Sequence, residues 1–208
     1  MGFYKDLTPF DKDLLKELCT IGTGNAATSL SAILKTTISI LVPSLDVILP
    51  EEMPENLGEP ESSKVVIFSY LSGAFPAKFL IIFSEEESMK IAKTLISSKV
   101  DKIDFDSPEQ EIFKSMLMEI GNIIISSYVN AMSMMINASL LQSPPQIKHD
   151  ILESIIDEFC IESAEGSNEL LLLKNKFLSH GNEILFDIIF IPDEISLKNI
   201  FAHIKGES

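Results

Sequence analysis

The chain of 208 residues has only two cysteines, three histidines and no tryptophan. Cys19 and Cys160 lie far apart, with no Cys-x-x-Cys or Cys/His ligand spacing. This argues against a disulfide framework or a zinc site and for two small packing residues in a reducing compartment. His149, His180 and His203 have neither metal-ligand nor triad spacing, and no Gly-x-Ser-x-Gly elbow accompanies the many serines, so surface positions are the default for all three. Positive charge is scarce: 16 basic against 31 acidic residues leave a formal net charge of −15. That balance repels phosphate backbones and acidic lipid surfaces alike, which excludes nucleic acid and anionic membrane as expected partners. Long apolar runs are absent as well, since Phe79 to Phe83 and Leu170 to Leu173 fall far below the length of a bilayer span. The start, Met1-Gly2-Phe3-Tyr4-Lys5-Asp6, is too polar for a secretory leader, and Asp6 stands where a myristoylation pattern has Ser or Thr. A cytoplasmic protein without membrane insertion is expected.

What is present is an ordinary globular mixture, 46% apolar and 23% charged, organised as a repeat. One ungapped shift superposes Lys12 on Lys114, Leu15 on Leu117, Glu17 on Glu119, Ile21 on Ile123, Ser31 on Ser133 and Pro43 on Pro145. With six more residues inserted in the second unit, Glu86, Ser88, Lys90 and Ile96 fall on Glu194, Ser196, Lys198 and Ile204. The pattern is that of a tandem duplication within one domain spanning 1–208, with units at 1–104 and 105–208.

Each unit opens with a helix start, Thr8-Pro9 with Asp11 and Ser107-Pro108 with Gln110, where a hydroxyl can cap and the third residue can complete a capping box. Long helices follow. Ile112, Phe113, Met116, Leu117, Ile120, Ile123 and Ile124 share one arc in the second, and Phe10, Leu14, Leu15, Leu18 and Ile21 the matching arc in the first. Strand-like runs come next: Thr37 to Val42, Val65 to Leu71 and Ala77 to Phe83, then Ala138 to Leu141, Leu170 to Phe177 and Ile184 to Ile191. A second helix closes each unit, around Glu86 to Ile96 and Ile195 to Ile204. A further helix, His149 to Phe159, is expected only in the second unit, and Glu162 to Asn168 reads as a loop. The expected fold is α/β (α+β): two tandem αβ units related by a pseudo-two-fold axis, sharing a mixed six-stranded sheet, with two long helices. Neither unit should stand alone, because each leaves an open sheet edge.

On the second long helix Ser115, Glu119 and Asn122 stand at i, i+4 and i+7, a narrow polar stripe beside the apolar arc. Asp13, Glu17 and Thr20 repeat the spacing on the first. A proline follows the third member at the same interval in both, Pro43 and Pro145. Solvated helix positions and a strand-terminating proline are the plain structural reading of the same residues.

These stretches, Asp13-LLK-Glu17-LCTIGTGNAATSLS and Ser115-MLM-Glu119-IGNIIISSYVNAMS with their distant prolines, resemble the CheC family of chemotaxis protein phosphatases (CheC, CheX and FliY types). The family pattern is Asp or Ser, three residues, Glu, two residues, Asn, twenty-two residues, Pro, present twice. The second copy here is complete with Ser115, Glu119, Asn122 and Pro145; the first keeps Asp13, Glu17 and Pro43 but has Thr20 in place of asparagine. The resemblance implies a CheY-type response regulator as substrate, whose aspartyl phosphate is already surrounded by its own Mg²⁺ and lysine. No cofactor of the chain's own is then expected, and catalysis reduces to positioning a water. Asn122 would orient that water and Glu119 would dock on the partner's lysine, with Ser115 supporting the helix surface. Thr20, with a short hydroxyl, implies a weak or silent first site. The resemblance also implies CheD as a second partner, with the acidic helix carrying Asp150, Glu153, Asp157 and Glu158 as its surface; an ordinary solvated helix is the plain reading. Two other functions stay open: a non-catalytic adaptor for response regulator or CheD, and a CheC-like protein associated with the flagellar switch.

Two other features have bland readings. Gly22-Thr23-Gly24-Asn25 lacks the rest of a nucleotide-binding fingerprint and falls within a helical pattern, so close helix packing is expected. Met116, Met118, Met132, Met134 and Met135 read as core filling, with Met118 beside the polar stripe.

Overall fold

A computed structural model describes residues 8–96, 102–160, 170–179 and 181–192. Along the chain run α1 (Pro9–Leu34), β1 (Ile38–Ile48), a 3-10 turn at Pro50–Glu52 leading into α2 (Met53–Leu57), β2 (Ser63–Gly73), β3 (Ala77–Ser84) and α3 (Glu85–Ile96). A second 3-10 turn, Pro108–Gln110, precedes α4 (Glu111–Met135), followed by β4 (Leu140–Gln142), β5 (Gln146–Ile151), α5 (Leu152–Cys160), β6 (Leu170–Ser179) and β7 (Asn182–Pro192). The expected helix Ile195 to Ile204 and loop Glu162 to Asn168 lie outside the described residues.

The first helix start is formed as its sequence predicts. Thr8 Oγ1 accepts from the Asp11 amide at 3.2 Å, and the Asp11 carboxylate accepts from the Thr8 amide at 2.9 Å. The second is not, because Gln110 turns instead to the Asp104 amide and the Lys102 carbonyl, and Ser107 makes no side-chain cap.

The strand order is β1-β6-β7-β3-β2-β4, with β5 also on β2. Exchanging the two halves of the chain maps this order onto itself. The first strand of each half pairs with the hairpin of the other, β1 on β6 and β4/β5 on β2, while β3 and β7 join at the centre. Each half thus covers the edge that the other would otherwise expose.

The sheet differs from expectation in two respects. Among the described residues it has seven strands rather than six, and every pairing is antiparallel rather than mixed. The seventh strand arises at Pro144-Pro145, where two successive residues without amide donors split one edge strand into β4 and β5. Pro43 falls at the matching place in β1, within a register shift between Leu41 and Ser44. The sheet is covered on both faces. Val65, Ile67, Phe79, Ile81, Phe186 and Ile188 face the core under α1 and α4, and Val66, Phe68, Leu80, Ile82, Leu172 and Ile189 face a second core with α2 and α5.

Two helices also differ. His149 to Ile151 belong to β5, so the helix expected from His149 begins only at Leu152. It is not confined to the second half either. The turn and helix over Pro50–Leu57 occupy the matching offset, and Met53 and Leu57 pack with Ile155 and Phe159 in one cluster. Its five-residue helical length and two prolines concealed it.

Phe113, Leu117, Ile120 and Ile124 of α4 are buried, as are Leu15 and Cys19 of α1, but Ile112, Phe10 and Ile21 are exposed. Of the methionines, Met132 is buried and Met134 exposed. The length and composition of α4 would allow it to cross a membrane, yet 56% of that stretch is buried within the protein, where it packs on α1 and the sheet. Both cysteines are buried and free, with the Cys19 thiol pushed up to about 12 and that of Cys160 to about 11 by burial. His149 is half-buried rather than exposed, edge-on to Phe105 at 6.2 Å. The other two histidines lie outside the described residues.

One half-buried carboxyl on β7, Asp187, sets a pH dependence. Burial raises the Asp187 carboxyl from 3.8 to about 6, against the opposing pull of Lys174 and Lys64. An acid whose folded pKa is raised contributes stability in full below its unfolded value and loses it as pH rises through the folded value. Asp187→Asn should therefore gain on wild type by up to about 3 kcal/mol between about pH 3.5 and about pH 7.5. Paired urea denaturation series across that range measure the difference, and parallel curves would contradict it.

Candidate functional site

The polar stripe of α4 lies along one uninterrupted helical face. Ser115 and Glu119 are exposed and Asn122 is half-buried. The height of this helix above the sheet is set at Gly121, the residue before the carboxamide. A Cβ there would lie 2.4 Å from Ile67 Cγ2, so only glycine lets the α4 backbone rest directly on β2. On its other side α4 meets α1 in the same way: a Cβ at Gly22 would fall 2.7 Å from Tyr128 Cδ1, and Thr23 Oγ1 shares a 2.6 Å hydrogen bond with the Tyr128 hydroxyl. Gly22 and Thr23 thus make the close helix packing that was expected, whereas Gly24 faces open space.

This close seat brings Asn122 to the end of β4. Its Oδ1 accepts from Gln142 Nε2 at 3.0 Å, and Gln142 Oε1 accepts in turn from Ser126 Oγ at 3.0 Å. Gln142 is itself held, because Leu71 of β2 pairs with it and the next residue is bound three times: Ser143 N to Tyr70 O at 2.9 Å, Tyr70 N to Ser143 Oγ at 3.0 Å and Ser69 Oγ to Ser143 O at 2.6 Å. Asn122 Nδ2 makes no hydrogen bond among the described residues. One end of the carboxamide is therefore fixed and the other is available as a donor. Pro145 sits three positions beyond Gln142, between β4 and β5, and interrupts the edge strand.

The first half carries the same stripe without this support. Asp13, Glu17 and Thr20 are all exposed, and Thr20 Oγ1 is turned back onto the Lys16 carbonyl at 2.8 Å. The positions that match Ser126 and Gln142 are Gly24 and Ile40, which have no polar side chain to offer. Asp150 is not part of either stripe. It lies on β5, pairs with Lys148 at 2.9 Å, and this hydrogen-bonded ammonium holds its carboxyl below the ordinary value. The same Lys148 also binds Glu158 of α5 at 2.5 Å, leaving Glu153 and Asp157 as exposed carboxylates of that helix.

Sequence reasoning located Ser115, Glu119 and Asn122 and missed Ser126 and Gln142. Ser126 could have been found by extending the stripe one further turn. Gln142 carried no local signal. Among the described residues no group of His, Cys, Asp or Glu is placed to hold a metal ion.

Residues 10–46 and 112–149 match the CheC-like family, one segment in each half. Each half of the chain thus carries one segment similar to that family. It is 23% identical to the CheY-P phosphatase CheC of Bacillus subtilis over 204 residues, covering 97% of each chain. In fold, this chain matches FliY of Thermotoga maritima with a TM-score of 0.77 at 19% identity, over 98% of this chain and 100% of that one. It also matches a chain of the CheX–CheY–BeF3–Mg²⁺ complex of Borrelia burgdorferi, with a TM-score of 0.52 at 20% identity over 85% and 98% of the two chains.

Gly121 of α4 and Gly24 of α1 should respond oppositely to alanine. Gly121→Ala forces α4 off the fully buried Ile67 and should cost about 1 to 3 kcal/mol. Gly24→Ala, with nothing within 4 Å of the new methyl, should gain up to about 1 kcal/mol from helix propensity. Urea midpoints at constant m value check both.

Proposed function

We propose that this CheC-like protein is a cytoplasmic phosphatase acting on the aspartyl phosphate of a CheY-type response regulator, with one working site on α4. The observation that carries this reading is the Asn122 carboxamide, anchored through Oδ1 with Nδ2 available, on an exposed helical stripe in a chain related along nearly its whole length to a CheY-P phosphatase. An acyl phosphate is an activated anhydride, so hydrolysis needs a water held in line with the phosphorus rather than a protein nucleophile. Asn122 supplies that orientation. Glu119, exposed one turn earlier, pairs with a cationic side chain of the regulator, and Ser115 with exposed Ile112 extends the contact surface along the helix. Mg²⁺ on this reading belongs to the regulator.

The first stripe docks without hydrolysing. Asp13 and Glu17 still present carboxylates, whereas the Thr20 hydroxyl is spent on its own helix. This is the point at which a purely adaptor role has support, and it applies to the first half alone.

Decay of phosphorylated regulator, followed with and without the protein, tests the assignment. Wild type should accelerate decay. Asn122→Ala should lower kcat by about 100-fold, and Glu119→Ala should chiefly raise KM. Thr20→Asn in the Asn122→Ala background should restore only a small part of the rate. Unchanged decay with wild type would leave the adaptor reading, and full activity in Asn122→Ala would remove the site assignment.

A further inference from the structure

Asn122 has one rotatable carboxamide whose two ends differ chemically, and only one orientation presents a donor to solvent. The side chains around it decide which. Gln142 approaches with its NH₂ group, while Ser126 donates to the opposite end of the same amide. The three groups form a directional chain: Ser126 hydroxyl to Gln142 oxygen, Gln142 amino group to Asn122 oxygen. All three side chains are half-buried, and the Gln142 backbone is anchored by its pairing to Leu71 and the bonds around Ser143. The first half is a natural contrast. There the counterparts of the third stripe residue, the serine and the glutamine are Thr20, Gly24 and Ile40, so the oriented group and both of its supports are missing together.

We propose that Gln142, set by Ser126, is the positioning residue that fixes the Asn122 carboxamide with its oxygen inward and its amino group outward. This inference rests on the phosphatase reading. Gln142 acts through Asn122 and not on the phosphoryl group. Its loss should therefore allow the carboxamide to rotate and lower the rate of the bound complex while leaving docking intact.

The experiment measures kcat and KM for phosphorylated regulator with wild type, Gln142→Ala, Gln142→Glu, Asn122→Ala and the double variant Gln142→Ala/Asn122→Ala. Gln142→Ala should lose roughly 10- to 100-fold in kcat with KM changed less than about threefold. In the Asn122→Ala background the same substitution should have no further effect, because its only route to the reaction is gone. Gln142→Glu keeps shape and can still accept from Ser126, but its carboxylate cannot donate. It should be impaired near neutral pH and recover relative to wild type as pH falls toward the carboxyl range of about 4.3, where an O–H donor returns. That recovery would not be produced by a side chain that merely fills space.

Gln142→Ala and Gln142→Glu both within about twofold of wild-type kcat, while Asn122→Ala is inactive, would overturn this inference and leave the phosphatase reading standing. So would a rise in KM with kcat unchanged, or an additional loss in the double variant. If wild type fails to accelerate decay, or Asn122→Ala keeps its full rate, the phosphatase reading itself is overturned and the role of Gln142 with it.

Discussion

The contact between the α4 backbone at Gly121 and Ile67 of β2 sets the geometry of the rest of the molecule. A protein interior is close-packed, so the absence of one methyl group fixes how near a helix can lie to a sheet. Here that distance decides whether Asn122, the next residue along, meets the end of β4. β2 is the common platform. Ile67 carries the helix, and Leu71, four residues on, pairs with Gln142. The separation between helix and strand side chains is thus controlled by one strand, buried from Lys64 to Ser69 and at Leu71, rather than by a loop, which suits a site whose task is orientation. The Tyr128 contacts with Gly22 and Thr23 hold the same helix from the other side and tie it to its counterpart α1.

The two halves share this scaffold but not its chemistry. Their strands interleave so that each completes the other's edge, and the cores under α1 and α4 form a single cluster. Packing of that kind constrains the apolar positions in both halves equally. Polar positions at the helix–strand junction are under no such constraint. Ile40 can therefore stand where the second half has Gln142, and Gly24 where it has Ser126, without disturbing the fold. An asymmetric site on a symmetric frame is the result.

The interrupted edge strands give the two motif prolines a structural meaning. Pro43 falls within a register irregularity of β1 and Pro145 within the break between β4 and β5. A residue without an amide donor interrupts the edge ladder at each place, and in β1 the pairing resumes at Ser44. In the second half the break also leaves Gln142 as the last residue of β4, beside the helix.

Local chemistry in the sequence determined a good deal. The Thr8–Asp11 box started α1, the apolar arc placed Phe113, Leu117 and Ile124 in the core, and the spacing of Ser115, Glu119 and Asn122 put three polar groups on one helical face, because helix geometry follows from neighbours three and four residues apart. Both long helices and most strands were legible for the same reason. Other features were settled only when distant segments met. The sheet was expected to be mixed and is antiparallel throughout the described residues, because strand direction follows from which segments pair and not from the composition of any one of them. The strand β5 and the short helix α2 were missed because a half-buried edge and a five-residue helix have too little periodicity to register. Gln142 could not be assigned to the site from its own neighbourhood, since its bond to Asn122 exists only through the stacking of α4 on β2 and the pairing of β4 with the same strand. Side chains along one helix are related by a fixed screw, whereas groups on different elements are related only by how those elements pack.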